Sequence, residues 1–266
     1  MTVLVRSKQS WSDIESALSQ TYPEVLAKCQ PRLFHAETGY LSSRAVGARL
    51  GSMIANMSID RRDASAYFAG VAASIAMQHE VPVWWLRPEL AHELAAQPVR
   101  GEAHAGAVPL PDATMVILLP GGFLQTPEGN SCDFVVISRW MHGTKPPTLP
   151  LEIEPHLIIS TVASKNAVPV ETLHAHSPSS CLLEEWFTGK TQMVTHNGAA
   201  IVAGDEDFLD VLKQVAINAA FAVAENPGLV TASTVTDRVR SKGAGGDKVD
   251  LWSPRWVGAP VPPANT

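Results

Sequence analysis

The sequence predicts an α+β fold in which N-terminal helices pack on a small, mainly antiparallel sheet that is closed by a C-terminal helix and an aromatic tail. Three observations carry this prediction. Residues 1–98 hold apolar positions at helical spacing, residues 99–204 hold short β-branched runs between turn residues, and residues 205–266 hold one long amphipathic stretch before an end rich in Gly, Pro and Trp. At 266 residues the chain is near the upper size for one hydrophobic core, so a single domain with these three sub-lobes is expected.

In residues 10–29, Ser10 or Ser12 can cap a helix carrying Ile14, Leu18, Val25 and Leu26, with Pro23 dividing it into two short pieces. Residues 43–57 place Val46, Leu50, Ile54 and Met57 three and four apart, with Gly47 and Gly51 on an adjacent stripe that another helix can approach closely. Asp60 caps a third helix over residues 61–80. Its Tyr67, Phe68, Val71, Ala72, Ile75 and Ala76 make it apolar around more than half its circumference, which predicts a central position. Residues 81–86 then read as extended, and Pro88 suits the first turn of a short helix ending near Gln97 and Pro98.

Residues 115–119 form an apolar run bounded by Asp112 and by Pro120-Gly121-Gly122, the pattern of a buried strand. Residues 133–140 and 157–162 are further strands, the first pairing with 115–119 as a hairpin and the two separated by a stiff Pro-rich connection at 145–150. Residues 192–202 suggest a strand pair about the Asn197-Gly198 turn. Asp205 and Glu206 open a helix that Asn226-Pro227-Gly228 stops after Glu225, with Phe208, Leu212, Val215, Ala219 and Ala222 on its inner face. A glycine-rich loop at 243–246 precedes the tail, where Trp252 and Trp256 need an apolar surface to cover them.

Composition narrows the function classes. With 45% hydrophobic and 17% charged residues the chain has the profile of a packed protein, not a disordered one. A net charge of −6 gives no overall attraction to phosphate backbones. Nucleic-acid binding would have to use Arg238, Arg240 and Lys242, with Lys248 and Arg255, a run that reads as a solvated tail. The three cysteines match no zinc or redox spacing and no basic-then-apolar leader opens the sequence, so a reduced, cytoplasmic setting is expected. No apolar stretch approaches the ~20 residues of a membrane span.

Two sets of residues have chemical potential. His174 and His176, two apart, have the spacing of paired metal ligands on one strand, with Glu171, Cys181, Glu184 and His196 as candidate partners; the plainer reading is a pair of surface histidines. Arg139, Ser160-Thr161 and Glu184-Glu185 occur in an order that resembles the arginine, Ser-Thr-Ser and glutamate series of ADP-ribosyltransferases. That resemblance implies an arginine holding a pyrophosphate and a glutamate stabilising an oxocarbenium-like sugar. Val162 stands where the second serine belongs, and the glutamates are adjacent instead of one residue apart.

Three further stretches together resemble the type V-A anti-CRISPR inhibitor family that targets the nascent nuclease chain, with its uncharacterised phage and plasmid relatives. They are residues 85–94 (WLRPELAHEL) followed by Leu110-Pro111 and a strand ending Leu119-Pro120, residues 212–227 ending Ala224-Glu225-Asn226-Pro227, and the closing residues 252–257 (WSPRWV). The inhibitor has a His-Trp-His segment in a long basic arm before its closing motif, where this chain has Arg238-Val239-Arg240-Ser241-Lys242-Gly243. The resemblance therefore implies a partner-binding architecture and not that particular target. The expected function is a non-enzymatic protein of bacterial, phage or plasmid origin, without cofactor, that recognises a protein or peptide with Trp85, Trp252, Arg255 and Trp256. The alternative is the ADP-ribosyltransferase-like enzyme.

Overall fold

The computed structural model describes residues 3–8, 83–111, 114–144, 152–165, 168–188, 192–193, 205–232, 237–241, 248–252 and 255–258. The expected helices at 10–29, 43–57 and 61–80, the 145–150 connection and the Asn197-Gly198 turn lie outside these residues.

Strands β1 (Val3–Lys8), β2 (Val83–Leu86), β3 (Thr114–Leu118), β4 (Leu124–Gln125), β5 (Ser131–Cys132), β6 (Phe134–Thr144), β7 (Glu152–Lys165), β8 (Val168–Pro178), β9 (Gln192–Met193), β10 (Val230–Ala232) and β13 (Arg255–Val257) form one mixed sheet. Its path runs β10-β13-β2-β3-β6-β7-β8-β1-β9, with β4 and β5 attached beside β7. β13 with β2, β2 with β3 and β1 with β9 run parallel, and the remaining pairs are antiparallel. A separate hairpin joins β11 (Asp237–Ser241) to β12 (Lys248–Trp252). The helices are α1 (Pro88–Ala96), α2 (Leu183–Thr188) and α3 (Asp205–Glu225).

This is the predicted α+β class, with a sheet of eleven strands in place of the small one expected. The difference comes from segments without an apolar run of their own. Residues 168–178 read as polar in sequence, yet they pair along β7 and β1 because backbone hydrogen bonding does not require apolar side chains. Residues 255–257 were expected in an irregular tail, and they form an interior strand between β10 and β2.

α3 lies on one face of the sheet. Its Leu209, Leu212, Val215, Ala216 and Ala219 recur at three and four, and they pack with Leu86, Ile117, Val135, Ile137 and Ile159 in a single core. Side chains alternate along each strand, so Val116, Leu118, Phe134, Val136 and Ile158 point to the opposite face, and they are buried as well. Burial on both faces explains why β3 reads as an unbroken apolar run.

The strand β13 is locked at its end by backbone. Arg87 N–H donates to Val257 O at 3.0 Å and Gly258 N–H donates to Leu229 O at 3.0 Å. Gly258 adopts φ +124°, and a Cβ there would lie 3.0 Å from Arg87 Cβ. Both the conformation and the space require glycine.

Candidate functional site

α1 begins at Pro88, which fits a first turn because its missing N–H would have no helical partner. At its other end the last carbonyls need outside donors. α3 supplies them: Asn218 Nδ2 donates to Leu94 O at 3.0 Å and to Gln97 O at 2.9 Å, and Gln214 Nε2 also donates to Gln97 O. With Ala91 and Leu94 buried beneath, these bonds fix the Gln97–Pro98 corner over α3.

Two hollows adjoin that corner and share Pro98 as a wall. One, of about 190 Å³, lies between α1 and the C-terminal half of α3 and is lined by Leu90, Glu93, Pro98, Phe221 and Leu229. Arg100 closes one side, in a bidentate ion pair with Glu225 and 4.6 Å above the Phe221 ring. The hydrogen bonds that Arg100 donates to the Glu225 carboxylate raise its pKa above the ordinary value. The other hollow, of about 430 Å³, lies between α1 and α2 and is lined by Ala96, Pro98, Val99, Glu184, Phe187 and Thr188.

The α2 wall is held from below. Leu183 N–H donates to Ala103 O at 2.8 Å, Glu184 N–H to Gly101 O at 3.1 Å, and Leu183 and Trp186 are buried. Lys213 on α3 is 2% exposed, and its Nζ lies 2.6 Å from Asp210 Oδ1, 3.4 Å from Trp186 O and 4.3 Å from the Phe187 ring centroid. Desolvation lowers the Lys213 pKa, and the hydrogen bond and charge of Asp210 partly offset this. Phe187 thus stands half-exposed on a braced helix turn.

Among the described residues lining the hollows, acidic side chains predominate, with Glu93, Glu184 and Glu225 against Arg100. Glu89, Glu93, Glu102, Glu184, Glu185 and Asp207 are exposed. Of the cations on the same layer, Arg100 is paired with Glu225 and Lys213 is buried beside Asp210.

The residues singled out in the sequence are distributed differently. Arg139 Nη2 donates to Gly106 O at 2.8 Å and to Val108 O at 2.7 Å, which holds the 3₁₀ turn Ala105–Ala107 against the α3 side of the sheet. Ser160 pairs with Val136 and is fully buried on the opposite face, and Thr161 donates to Phe134 O. Glu184 and Glu185 lie on exposed positions of a helix, not on a strand; Glu185 Oε2 turns back to accept from Leu182 N–H at 3.4 Å. Arg139, Ser160 and these glutamates therefore do not share a cleft.

His176 meets a residue the sequence did not pair with it: its Nδ1 is 3.1 Å from Nδ1 of His156 across β7 and β8. His174 is registered with Ser160, two residues along β7 from Ile158, the register partner of His176. Cys181 lies 3.9 Å from Glu185 Oε2. The side chains of Glu171, His174 and His196 lie outside the described residues, among which no group of three His, Cys, Asp or Glu is placed to hold a metal.

Trp85 is 2% exposed and meets Trp256 edge-on at 4.7 Å, while Arg87 sits 4.6 Å over the Trp256 ring. That placement gives Trp85 to the interior. Arg255 is exposed, 5.7 Å over Trp84. Trp252 registers with Asp237, and Arg238 and Arg240 register with Leu251 and Val249 in the β11–β12 hairpin; their side chains and all of Lys242 lie outside the described residues.

The groove residues were legible only in part. Gln214, Asn218, Phe221 and Glu225 follow at four, three and four on α3, a second stripe beside the apolar one. The intrusion of Asn218 into an otherwise apolar run was its visible signal.

The sequence matches no protein-family model, and no curated protein matches it.

Proposed function

We propose that this chain is a partner-binding protein that recognises a protein or peptide segment in the groove formed by α1, α2 and α3 about the Gln97–Pro98 corner. One observation carries the reading: half-exposed Leu90, Phe187, Phe221 and Leu229 line two adjoining hollows whose shared wall, Pro98, is fixed from beneath by Gln214 and Asn218. Apolar side chains presented on a rigid frame favour binding, because little ordering entropy is lost when a partner docks.

The setting we infer follows the sequence. The N-terminal helical segments would cover the second face of the sheet, whose Val116, Phe134 and Val136 are buried, and the aromatic tail closes the sheet through Trp256 on Trp85. None of the helices among the described residues is long and apolar enough to cross a membrane, which is compatible with the cytoplasmic setting proposed here. An anti-CRISPR-like or regulatory role in a bacterium, phage or plasmid belongs to the same proposal.

The test is site-specific photo-crosslinking in the host cell. A benzoylphenylalanine at the exposed Thr188 position should give a discrete protein adduct, and Ala96→Trp, which fills the hollow from an exposed helix position, should abolish it. An adduct that persists in Ala96→Trp refutes the groove.

A further inference from the structure

We infer that the segment this groove accepts is basic as well as apolar: one carrying large apolar side chains flanked by Lys or Arg. The inference rests on the groove reading above and adds the chemistry of the occupant.

The argument is charge complementarity. Glu93 lines the hollow beside α3 and Glu184 lines the hollow beside α2, so each recess carries a carboxylate beside its apolar side chains. Glu89 lies one turn before Glu93 on α1, Glu102 follows the Gln97–Pro98 corner, and Glu185 and Asp207 extend the same sign along α2 and α3; all are exposed. The carboxylates that act on an occupant most directly are Glu93 and Glu184, because these two line the hollows themselves. Among the described residues that line the two hollows, the one cation is Arg100. Arg100 is engaged by both oxygens of Glu225, and Lys213 is spent on Asp210 beneath the surface.

An acidic segment, or a nucleic-acid backbone, would bring like charge to this rim and be repelled. A purely apolar segment would bring no positive charge to the carboxylates at the rim, where Glu93 accepts only a neutral bond from Gln97 Nε2 at 3.3 Å. A segment with Lys or Arg on either side of Leu, Met or Phe satisfies both parts: its apolar side chains enter the hollows on the two sides of Pro98, and its cations meet Glu93 and Glu184 in water, where such pairs steer association and set specificity more than they add affinity.

The experiment is selection of a random dodecapeptide library displayed on phage against the full chain, with counter-selection on Ala96→Trp. Enriched peptides are then synthesised and titrated against wild type, Ala96→Trp, Glu93→Gln and the Glu93→Lys, Glu184→Lys double variant, after circular dichroism shows that each variant melts like wild type. We expect peptides rich in Lys or Arg beside large apolar residues. We also expect roughly 10-fold weaker binding to the Glu93→Lys, Glu184→Lys double variant, a smaller loss for Glu93→Gln, and weakening as salt rises from about 0.05 M to about 0.5 M. Acidic or uncharged peptides that Ala96→Trp nevertheless excludes would overturn the charge inference and leave the groove standing. Failure to enrich any peptide, or enriched peptides that bind Ala96→Trp as well as wild type, would overturn the groove reading and this inference with it.

Discussion

Asn218 in the middle of α3 donates its carboxamide to the backbone oxygen of Gln97 at 2.9 Å, and this one contact joins the end of α1 to the floor of the groove. Asn218 is 8% exposed and donates to Leu94 O as well. Asn218→Leu leaves two carbonyls without that donor and should cost about 1–3 kcal/mol in urea unfolding. It should also loosen the Gln97–Pro98 corner, measurable as faster hydrogen exchange at residues 94–101. Unchanged exchange there would mean that Gln214 alone holds the corner.

Lys213 makes stability depend on pH with a definite sign. Its pKa is lowered in the folded chain relative to the ordinary 10.5, so between the lowered value and 10.5 the unfolded chain binds more protons. Its contribution is therefore fully present above 10.5 and is lost as pH falls through the folded pKa. Subtracting the stability curve of Lys213→Met from that of wild type should give a difference that rises with pH across that window, whereas a flat difference would show that the ammonium is not desolvated.

Gly258 should tolerate no side chain. Gly258→Ala meets both a positive φ and the Arg87 Cβ at 3.0 Å, and about 1–3 kcal/mol of destabilisation is expected. Gly122 also has a positive φ, but a Cβ there has open space, so Gly122→Ala is the control for conformational cost alone. Equal losses at the two positions would remove the packing part of the argument.

Removing residues 255–266 should unfold the protein and not merely detach a tail. Arg255–Val257 lies between β10 and β2, so its loss strips hydrogen bonds from both neighbours and uncovers Trp85. Loss of a cooperative thermal transition in the truncated chain checks this. For the same reason a truncation cannot separate partner binding from folding, and the point variant Ala96→Trp can.

Where the chain carries its own pattern, the sequence was sufficient. α3 runs from Asp205 to Glu225 as its acidic start and Asn226-Pro227 stop predict, and α1 starts at Pro88. β3 and β6 pair antiparallel, with Val116 opposite Val136, as their apolar runs suggest. Elements defined by distant partners were not legible. β1 and β8 depend on each other for pairing across most of the described chain, and β13 is a strand only because Trp84 and Trp85 lie beside it. The short helix of Glu184 and Glu185 went unread in the sequence because six residues are too few to show a helical period. The groove was hidden for a related reason: it exists only when Pro98, Phe187 and Phe221 are brought together by α1, α2 and α3, and none of these residues carries a motif of its own.

The central claim is that the surface about Pro98 holds a partner. Hydrogen exchange of the full chain with and without a saturating selected peptide addresses it most directly. The account predicts slowed exchange at residues 97–101, 184–188 and 214–225, lost in Ala96→Trp. Protection confined to β10 and β13, with the groove unchanged, would contradict it.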